Sequence, residues 1–299
     1  MKKIRIGTRG SKLALYQAEL VQSKLQAAHP GLTCELIKIQ TSGDKLLTQS
    51  LAKLGGKGLF LKEIEEALLA GDVDIAVHSM KDVPAVDQLP PALEIACILE
   101  RENPFDAFIS HKFTEFSQLP QGAKLGTSSI RRAAFLLNKR PDLKIVNFRG
   151  NVQTRLQKLE AGEVDATLLA CAGLNRLQLN EHPCVRHAFE LDTLPPAIGQ
   201  GAIGVEIRND DDEIRQFLNS INCQQSFIEV SAERSFMEKM EGSCNTPLVA
   251  LATIVNDKLT LIAAKASDDG KKIWRATATG NPASWRQLGY QCATEVLGG

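Results

Sequence analysis

No stretch of this 299-residue chain is long and apolar enough to span a bilayer. The opening Met1-Lys2-Lys3 runs into a short strand-like segment rather than the apolar core of an export signal, so the cytoplasm is the expected compartment and no membrane partner is expected. A net charge is missing too. Lys+Arg and Asp+Glu both total 35, so no global field draws the chain to nucleic acid, and any basic surface must be local. Aromatic residues make up only 5%, which leaves few platforms for stacking bases and counts further against a nucleic-acid binder.

Paired cysteines are also absent. Cys34, Cys97, Cys171, Cys184, Cys223, Cys244 and Cys292 are odd in number and contain no C-x-x-C, which excludes a disulfide framework and a zinc ribbon. The five histidines show no H-E-x-x-H spacing, so no metal site is expected. Gly55-Gly56-Lys57-Gly58 lacks the glycine spacing and the hydroxyl residue of a Walker A loop, and no G-x-G-x-x-G is present. ATP and dinucleotide chemistry therefore lose their usual signatures.

The 43% of apolar residues is enough to fill two or three cores, the number this length implies. Ile4 to Gly7 reads as a strand, and after Thr8-Arg9-Gly10-Ser11 the residues Ala14, Ala18, Val21, Leu25 and Ala28 recur at helical spacing. A helix from about Gly58 to Ala70, capped by Gly71, leads to a strand from Val73 to His78. The same grammar returns at Leu125-Gly126-Thr127-Ser128-Ser129. Ala161-Gly162-Glu163-Val164-Asp165 then repeats Ala70-Gly71-Asp72-Val73-Asp74. The second copy spans 36 positions from Gly126 to Gly162 against 64 from Gly7 to Gly71, and the excess falls around Thr41-Ser42-Gly43-Asp44 and Gly55 to Gly58.

The expected architecture is two similar periplasmic-binding-protein-like α/β lobes joined by a double hinge. The first takes residues 1–99 and 200–217, the second 105–193. Glu100 to Pro104 leads out, and Leu194 to Gly201 leads back to a strand from Ala202 to Ile207. Residues 222–299 form a small C-terminal α+β domain. It has a helix from about Ser231 to Met240, a three-stranded antiparallel sheet (Leu248–Val255, Leu259–Ala266, Lys272–Thr279) and a final helix from Ala283 to Leu297. Ligands of such paired lobes sit in the cleft between them.

Arginine at a helix N-terminus opposes the helix dipole at a cost of about 0.3–1 kcal/mol. Arg9 lies at the entry to the first helix, Arg131 and Arg132 fill the first turn after Ser129, and Arg149 precedes Gly150-Asn151 with Arg155 one turn on. Solvation alone would account for any one of them. An anion would account for all, because it meets free N–H groups, the dipole and a guanidinium together. Asp82, in Ser79-Met80-Lys81-Asp82-Val83-Pro84, reads either as a turn former or as a lone carboxylate amid arginines, placed to stabilise a cation and exchange protons. His78, on the opposite strand face from Ser79, reads as a packing residue. Cys244, in Gly242-Ser243-Cys244-Asn245-Thr246-Pro247, reads as a small buried hydrophobe or an exposed thiol.

Taken together, several segments resemble the porphobilinogen deaminase (hydroxymethylbilane synthase) family. They are Thr8-Arg9-Gly10-Ser11-x-Leu13-Ala14-Leu15, Gly55-Gly56-Lys57-Gly58-Leu59-Phe60, His78 to Pro84, Gly126-Thr127-Ser128-Ser129-x-Arg131-Arg132, Arg149-Gly150-Asn151-Val152-x-Thr154-Arg155-Leu156 and Gly199-Gln200-Gly201-Ala202. The match runs from the first strand to the last helix. One departure is Ser243, which stands where the family usually has the second glycine of Gly-Gly-Cys.

The resemblance implies a cytoplasmic, monomeric transferase of tetrapyrrole (heme) biosynthesis. Its Cys244 would carry a dipyrromethane cofactor through a thioether, and four porphobilinogen molecules would be deaminated and joined head to tail on that primer, then released as linear hydroxymethylbilane. It further implies that Asp82 is catalytic, through azafulvene-type cations, and that Arg9, Arg131, Arg132, Arg149, Arg155 and Arg176 clamp acetate and propionate groups, assisted by Ser11, Lys81, Thr127, Ser128 and Ser129. The alternative is a hinged anion-binding protein without catalysis, since paired lobes serve a receptor equally well.

Overall fold

A computed structural model describes residues 2–42, 61–85, 88–242 and 246–298. The expected glycine-rich stretch Gly55 to Gly58 and the candidate Cys244 lie outside the described residues. The chain opens with strand β1 (Lys3–Thr8), helix α1 (Lys12–Ala28) and strand β2 (Thr33–Lys38). Helix α2 (Lys62–Leu69), strand β3 (Ile75–Ser79) and strand β4 (Leu93–Ile98) follow. The first helix begins at Ser11 because the Ser11 hydroxyl accepts a hydrogen bond from the Ala14 N–H. It then presents Ala18, Val21 and Leu25, all fully buried, to Ile4, Ile6, Ile75 and Val77 of the sheet. Each such aliphatic side chain is worth about 1.5–3 kcal/mol when withdrawn from water.

The second lobe comprises β5 (Asp106–Ile109), β6 (Lys124–Gly126), α3 (Ile130–Lys139), β7 (Lys144–Val146), α4 (Val152–Glu160), β8 (Ala166–Ala170), α5 (Cys171–Arg176) and β9 (Val185–Ala188). The chain then returns through β10 (Ile203–Arg208) and α6 (Asp212–Asn219). The two five-stranded sheets have the orders β2-β1-β3-β10-β4 and β7-β6-β8-β5-β9. In each, a parallel trio meets an antiparallel fourth strand: β10 beside β3 in one, β5 beside β8 in the other. That fourth strand is in each case the one that arrives through a crossing. This is the periplasmic-binding-protein-like arrangement of two α/β lobes.

The internal repeat is physical, not merely verbal. Gly71 and Gly162 both take left-handed φ, +75° and +76°, after their helices. Val73 and Val164 are both buried behind them. Asp74 accepts the Arg5 N–H at 2.8 Å on one carboxylate oxygen, and Asp165 accepts the Lys124 N–H at 2.8 Å in the same way. Each of the two aspartates ties the turn to the neighbouring parallel strand and fixes its register.

The remaining elements are helix α7 (Gln224–Lys239), the antiparallel strands β11 (Leu248–Val255), β12 (Lys258–Ala266) and β13 (Ile273–Gly280), and helix α8 (Trp285–Gly298). Helix α7 starts at Gln224, earlier than the expected Ser231. Its buried face carries Glu229, Glu233 and Arg234 among the apolar residues, and this hides the helical periodicity in the sequence. Phe236, Leu259, Leu261, Cys292 and Ala293 form this domain's core, which also receives Ile198 from the returning crossing. Val249, Ala264 and Ala266 extend the second lobe's core around Phe108 and Phe135.

The two crossings run side by side, with the Glu102 N–H donating to the Gly201 carbonyl at 3.2 Å and the Leu99 N–H to the Ile203 carbonyl at 3.0 Å. Helix α7 locks onto both. Glu233, with no exposed surface, takes Arg101 in a two-pronged ion pair of 2.5 and 3.1 Å. It also accepts the Gly199 N–H at 2.7 Å and the Ala252 N–H at 2.9 Å. Removing one member of a buried pair leaves the other charge without compensation. Glu233→Ala is therefore expected to lower unfolding stability by about 3–5 kcal/mol in urea titrations, and a loss below about 1 kcal/mol would contradict this account of the junction.

Candidate active site

Strand β3 runs out between β1 and β10, and its last residues turn through Met80–Asp82, with the Val83 N–H closing on the Met80 carbonyl at 3.2 Å. Met80 is buried and anchors this turn, which leaves Asp82 exposed at its tip. Asp82 lines a small open cavity, of about 70 Å³, together with Arg9, Ser11, Gln17 and Ser79. Ser11 spends its hydroxyl on the α1 N-cap, while Ser79 and Gln17 pair at 2.8 Å. On the other face of β3, His78 is buried and its Nε2 lies 3.0 Å from Glu206 Oε2. The register explains this: Ala76 faces Glu206 and His78 faces Gly204, so His78 and Glu206 share a sheet face that Ser79 does not. Burial pushes Glu65, near this pair, up to about 7, and the neighbouring Glu206 adds to the rise.

Behind the turn stand the arginines of the second lobe. Arg131 and Arg132, in the first turn of α3, are both buried, and each donates one Nη2–H to Asp106 at 2.6 Å. Arg131 also reaches the Pro195 carbonyl at 2.6 Å, and Arg132 the Leu168 carbonyl at 3.0 Å. Burial by itself would raise the Asp106 carboxyl; the charges and hydrogen bonds of Arg131 and Arg132 overcome that and hold it far below the usual carboxylate range. Asp106 escaped notice in the sequence because nothing in Asn103-Pro104-Phe105-Asp106 marks it as other than a strand start. It corrects the expectation of a lone acid amid arginines. Part of the counter-charge that the α3 arginines need comes from within the chain.

Asp106 does not satisfy the whole cluster. Arg132 Nε is buried without a partner among the described residues. Arg155 donates to the Gly150 carbonyl at 2.9 Å, and Arg149 to the Asn147 side chain at 3.3 Å. Burial pulls Arg155 down to about 10, and repulsion from Arg132 and Arg149 pulls the same way. Lys81, next to Asp82, is drawn down to about 8, first by burial and then by Arg132 and Arg131, against the opposing pull of Asp82 and Asp106. Five cations thus converge on one region.

The sequence-nominated hydroxyls divide. Ser129 caps α3, and buried Thr127 accepts the Ser129 N–H at 3.1 Å. Exposed Ser128 donates to Asn147 at 2.6 Å, beside Arg149. Arg176 is buried, and one of its N–H groups is committed to the Gly201 carbonyl at 2.6 Å. It braces the returning crossing. Gln200 and Gln17, like Asp106, were not singled out by sequence; their partners are 62 to 119 positions away, beyond any local signal.

An exposed carboxylate whose neighbour Lys81 feels the charges of Arg131 and Arg132, in a chain of two α/β lobes and a small third domain, marks a two-lobed α/β protein with a cation-rich site suited to anions. Family comparison specifies which. Residues 4–216 match the porphobilinogen deaminase, dipyromethane cofactor binding domain, and residues 227–298 match the porphobilinogen deaminase, C-terminal domain. The chain belongs to the porphobilinogen deaminase family. It is 49% identical to the porphobilinogen deaminase of Geotalea daltonii over 99% of this chain and 92% of that one, and 48% identical to that of Syntrophotalea carbinolica over 98% and 92%. Among solved structures, a nutrient binding protein from Burkholderia cenocepacia bound to methionine is similar at a TM-score of 0.46 and 17% identity, over 80% of this chain and 96% of that one.

Because the folded Asp106 carboxyl sits below its unfolded value of about 3.9, its contribution to stability is complete above that pH and is lost as the pH falls toward its folded value. Asp106→Asn is expected to lose stability at pH 7 and to flatten the acid limb. The gap between wild type and variant in urea midpoint should shrink between pH 5 and pH 2.5, and a constant gap would show that the Asp106 charge is not what stabilises the arginine pair.

Proposed function

We propose that Asp82 is the catalytic group, that Cys244 is the point of cofactor attachment and that the arginine cluster binds the carboxylates of the bound chain. The enzyme is a transferase that deaminates four porphobilinogen molecules and joins them head to tail on a dipyrromethane cofactor, giving linear hydroxymethylbilane. Arg132 Nε, buried without a partner among the described residues, supports the assignment of the arginines, since a bound carboxylate would supply the acceptor it lacks. Arg149 and Arg155, which donate to a neutral amide and a neutral carbonyl, fit the same ligand: a dipyrromethane with its acetate and propionate groups suits this donor set.

Tethered at Cys244, the cofactor would supply a nucleophilic pyrrole carbon and a covalent anchor for the product. The protein's part is positional and electrostatic. Arg132, Arg149 and Arg155 hold carboxylates, each close ion pair being worth about 4 kcal/mol near 4 Å at an effective dielectric near 20, before desolvation. Arg9 and Ser11 line the cavity into which Asp82 opens and are suited to the incoming porphobilinogen. As ammonia leaves that substrate, positive charge spreads onto its pyrrole nitrogen, and the Asp82 carboxylate is placed to accept the N–H and stabilise it. After the carbon–carbon bond forms, the same carboxylate is the base at hand for the proton lost from the ring carbon. Asp106, locked by two arginines, is in no position to share that work. A receptor without catalysis would have no use for an exposed acid aimed at the anion site.

Intact-mass measurement on the purified enzyme should show a covalent excess equal to two pyrrole units, absent from Cys244→Ser. Unmodified wild-type protein after incubation with porphobilinogen would remove Cys244 from its role. Asp82→Asn should keep that excess and lose turnover by roughly 10²–10⁴-fold. Near-normal turnover in this variant would reassign the proton transfer.

A further inference from the structure

Gln200 is buried in the returning crossing, and its side chain meets charged groups of both lobes. Its amide Nε2 donates to the Pro104 carbonyl at 2.6 Å and to Asp106 Oδ1 at 3.1 Å. Two acceptors on that side fix the amide's orientation, so its oxygen is the atom that faces Lys81, whose Nζ lies 3.4 Å away. The amide dipole therefore lies between an ammonium and a carboxylate, with each end matched to its charge.

The backbone holds this placement. Gly199 and Gly201, on either side, take φ of +69° and +90°. A Cβ at Gly199 would come within 2.9 Å of Met80 Cβ, and one at Gly201 within 2.2 Å of the Glu102 carbonyl oxygen. The loop is thus wedged between the Met80–Asp82 turn and the outgoing crossing. The Gln200 carbonyl is held in turn by Arg101 Nε at 2.9 Å.

We propose that Gln200 is a positioning residue for the reaction: its amide keeps the Lys81 ammonium charged and directed at the anion site, and ties it to the carboxylate that orients Arg131 and Arg132. The inference rests on the reading of this cleft as the site of deamination, because that reading gives Lys81 a carboxylate to bind. The groups acting on Lys81 are Asp82 on its own turn, Arg131 and Arg132 from α3, and Asp106 from β5. Burial disfavours the ammonium most, and the two arginines add to that. An amide oxygen at hydrogen-bond distance counters them, and neither a hydrocarbon nor a second donor at position 200 would do so.

The test reads Lys81 directly. In the cofactor-loaded enzyme, the pH dependence of Lys81 labelling by an amine-acylating reagent, followed by peptide mass spectrometry, gives its titration midpoint. Gln200→Met, close in volume but without the amide, should lower the midpoint by about one pH unit, and the alkaline limb of turnover should move with it. Gln200→Glu, which places a carboxylate beside the ammonium, should raise it. Loss of packing alone would lower stability without moving the Lys81 midpoint. A Gln200→Met midpoint equal to that of wild type overturns the proposal; where that variant does not accumulate as folded protein, an unmoved Gln200→Glu midpoint does so. Failure of the wild type to consume porphobilinogen would strike the functional assignment instead, and the labelling would still report on Gln200.

Discussion

A single carboxylate with no exposed surface, Asp106, underlies the cleft. It begins the strand that enters the second lobe, and its two oxygens hold Arg131, Arg132 and Gln200 at 2.6 to 3.1 Å. Burying one carboxylate and two guanidiniums is costly unless each finds partners, and here the carbonyls of Pro195 and Leu168 take one N–H from each arginine. The outcome is a preorganised positive wall. Asp106 answers for about one charge of the pair, and among the described residues Arg132 Nε is left without a partner.

The same economy governs the junction between the lobes. Glu233 of α7 gathers Arg101, Gly199 and Ala252, and Arg234, its neighbour, donates to the Val83 and Pro84 carbonyls at 3.1 and 2.7 Å. Helix α7 thereby holds the outgoing crossing, the returning crossing and the exit from the Asp82 turn. Among the described residues, the helix that leads toward Cys244 is thus bonded to the segment that presents the proposed catalytic acid. Charge in this protein serves two ends: neutralised pairs fix the frame, and the incompletely neutralised arginines are the ones proposed to bind the substrate's carboxylates.

Much of the frame was legible in the sequence. The strand-turn-helix grammar at Gly7 to Ser11 and at Gly126 to Ser129 gave the two lobes, since Ser11 and Ser129 cap their helices as short hydroxyl side chains do. The paired Gly71 and Gly162 turns gave the repeat. The run from Leu248 to Val255, between Pro247 and the Asn256-Asp257 turn, gave the first strand of the third sheet with its bounds; its first five residues are all buried, because one face packs on this domain's core and Val249 on the other face joins the second lobe's core. Helix α7 was read short because its interior carries charge. The helix-start arginines were legible as anomalies, and an anomaly of charge is a local property that sequence displays.

What compensates that charge was not legible. Asp106 meets Arg131 and Arg132 across 25 and 26 positions, and Gln200 reaches Lys81 across 119. No local pattern encodes such pairings: the first forms only once β5 has taken its place beside β8 in the second lobe's sheet, and the second only once the returning crossing lies against the Met80–Asp82 turn. By itself the sequence determined which residues form helices, strands and caps, and where uncompensated positive charge accumulates, since those depend on neighbours within a turn or two. Only the tertiary structure decided which arginines are spent on the protein's own carboxylate and which are not, because that choice is made by long-range packing around a buried charge.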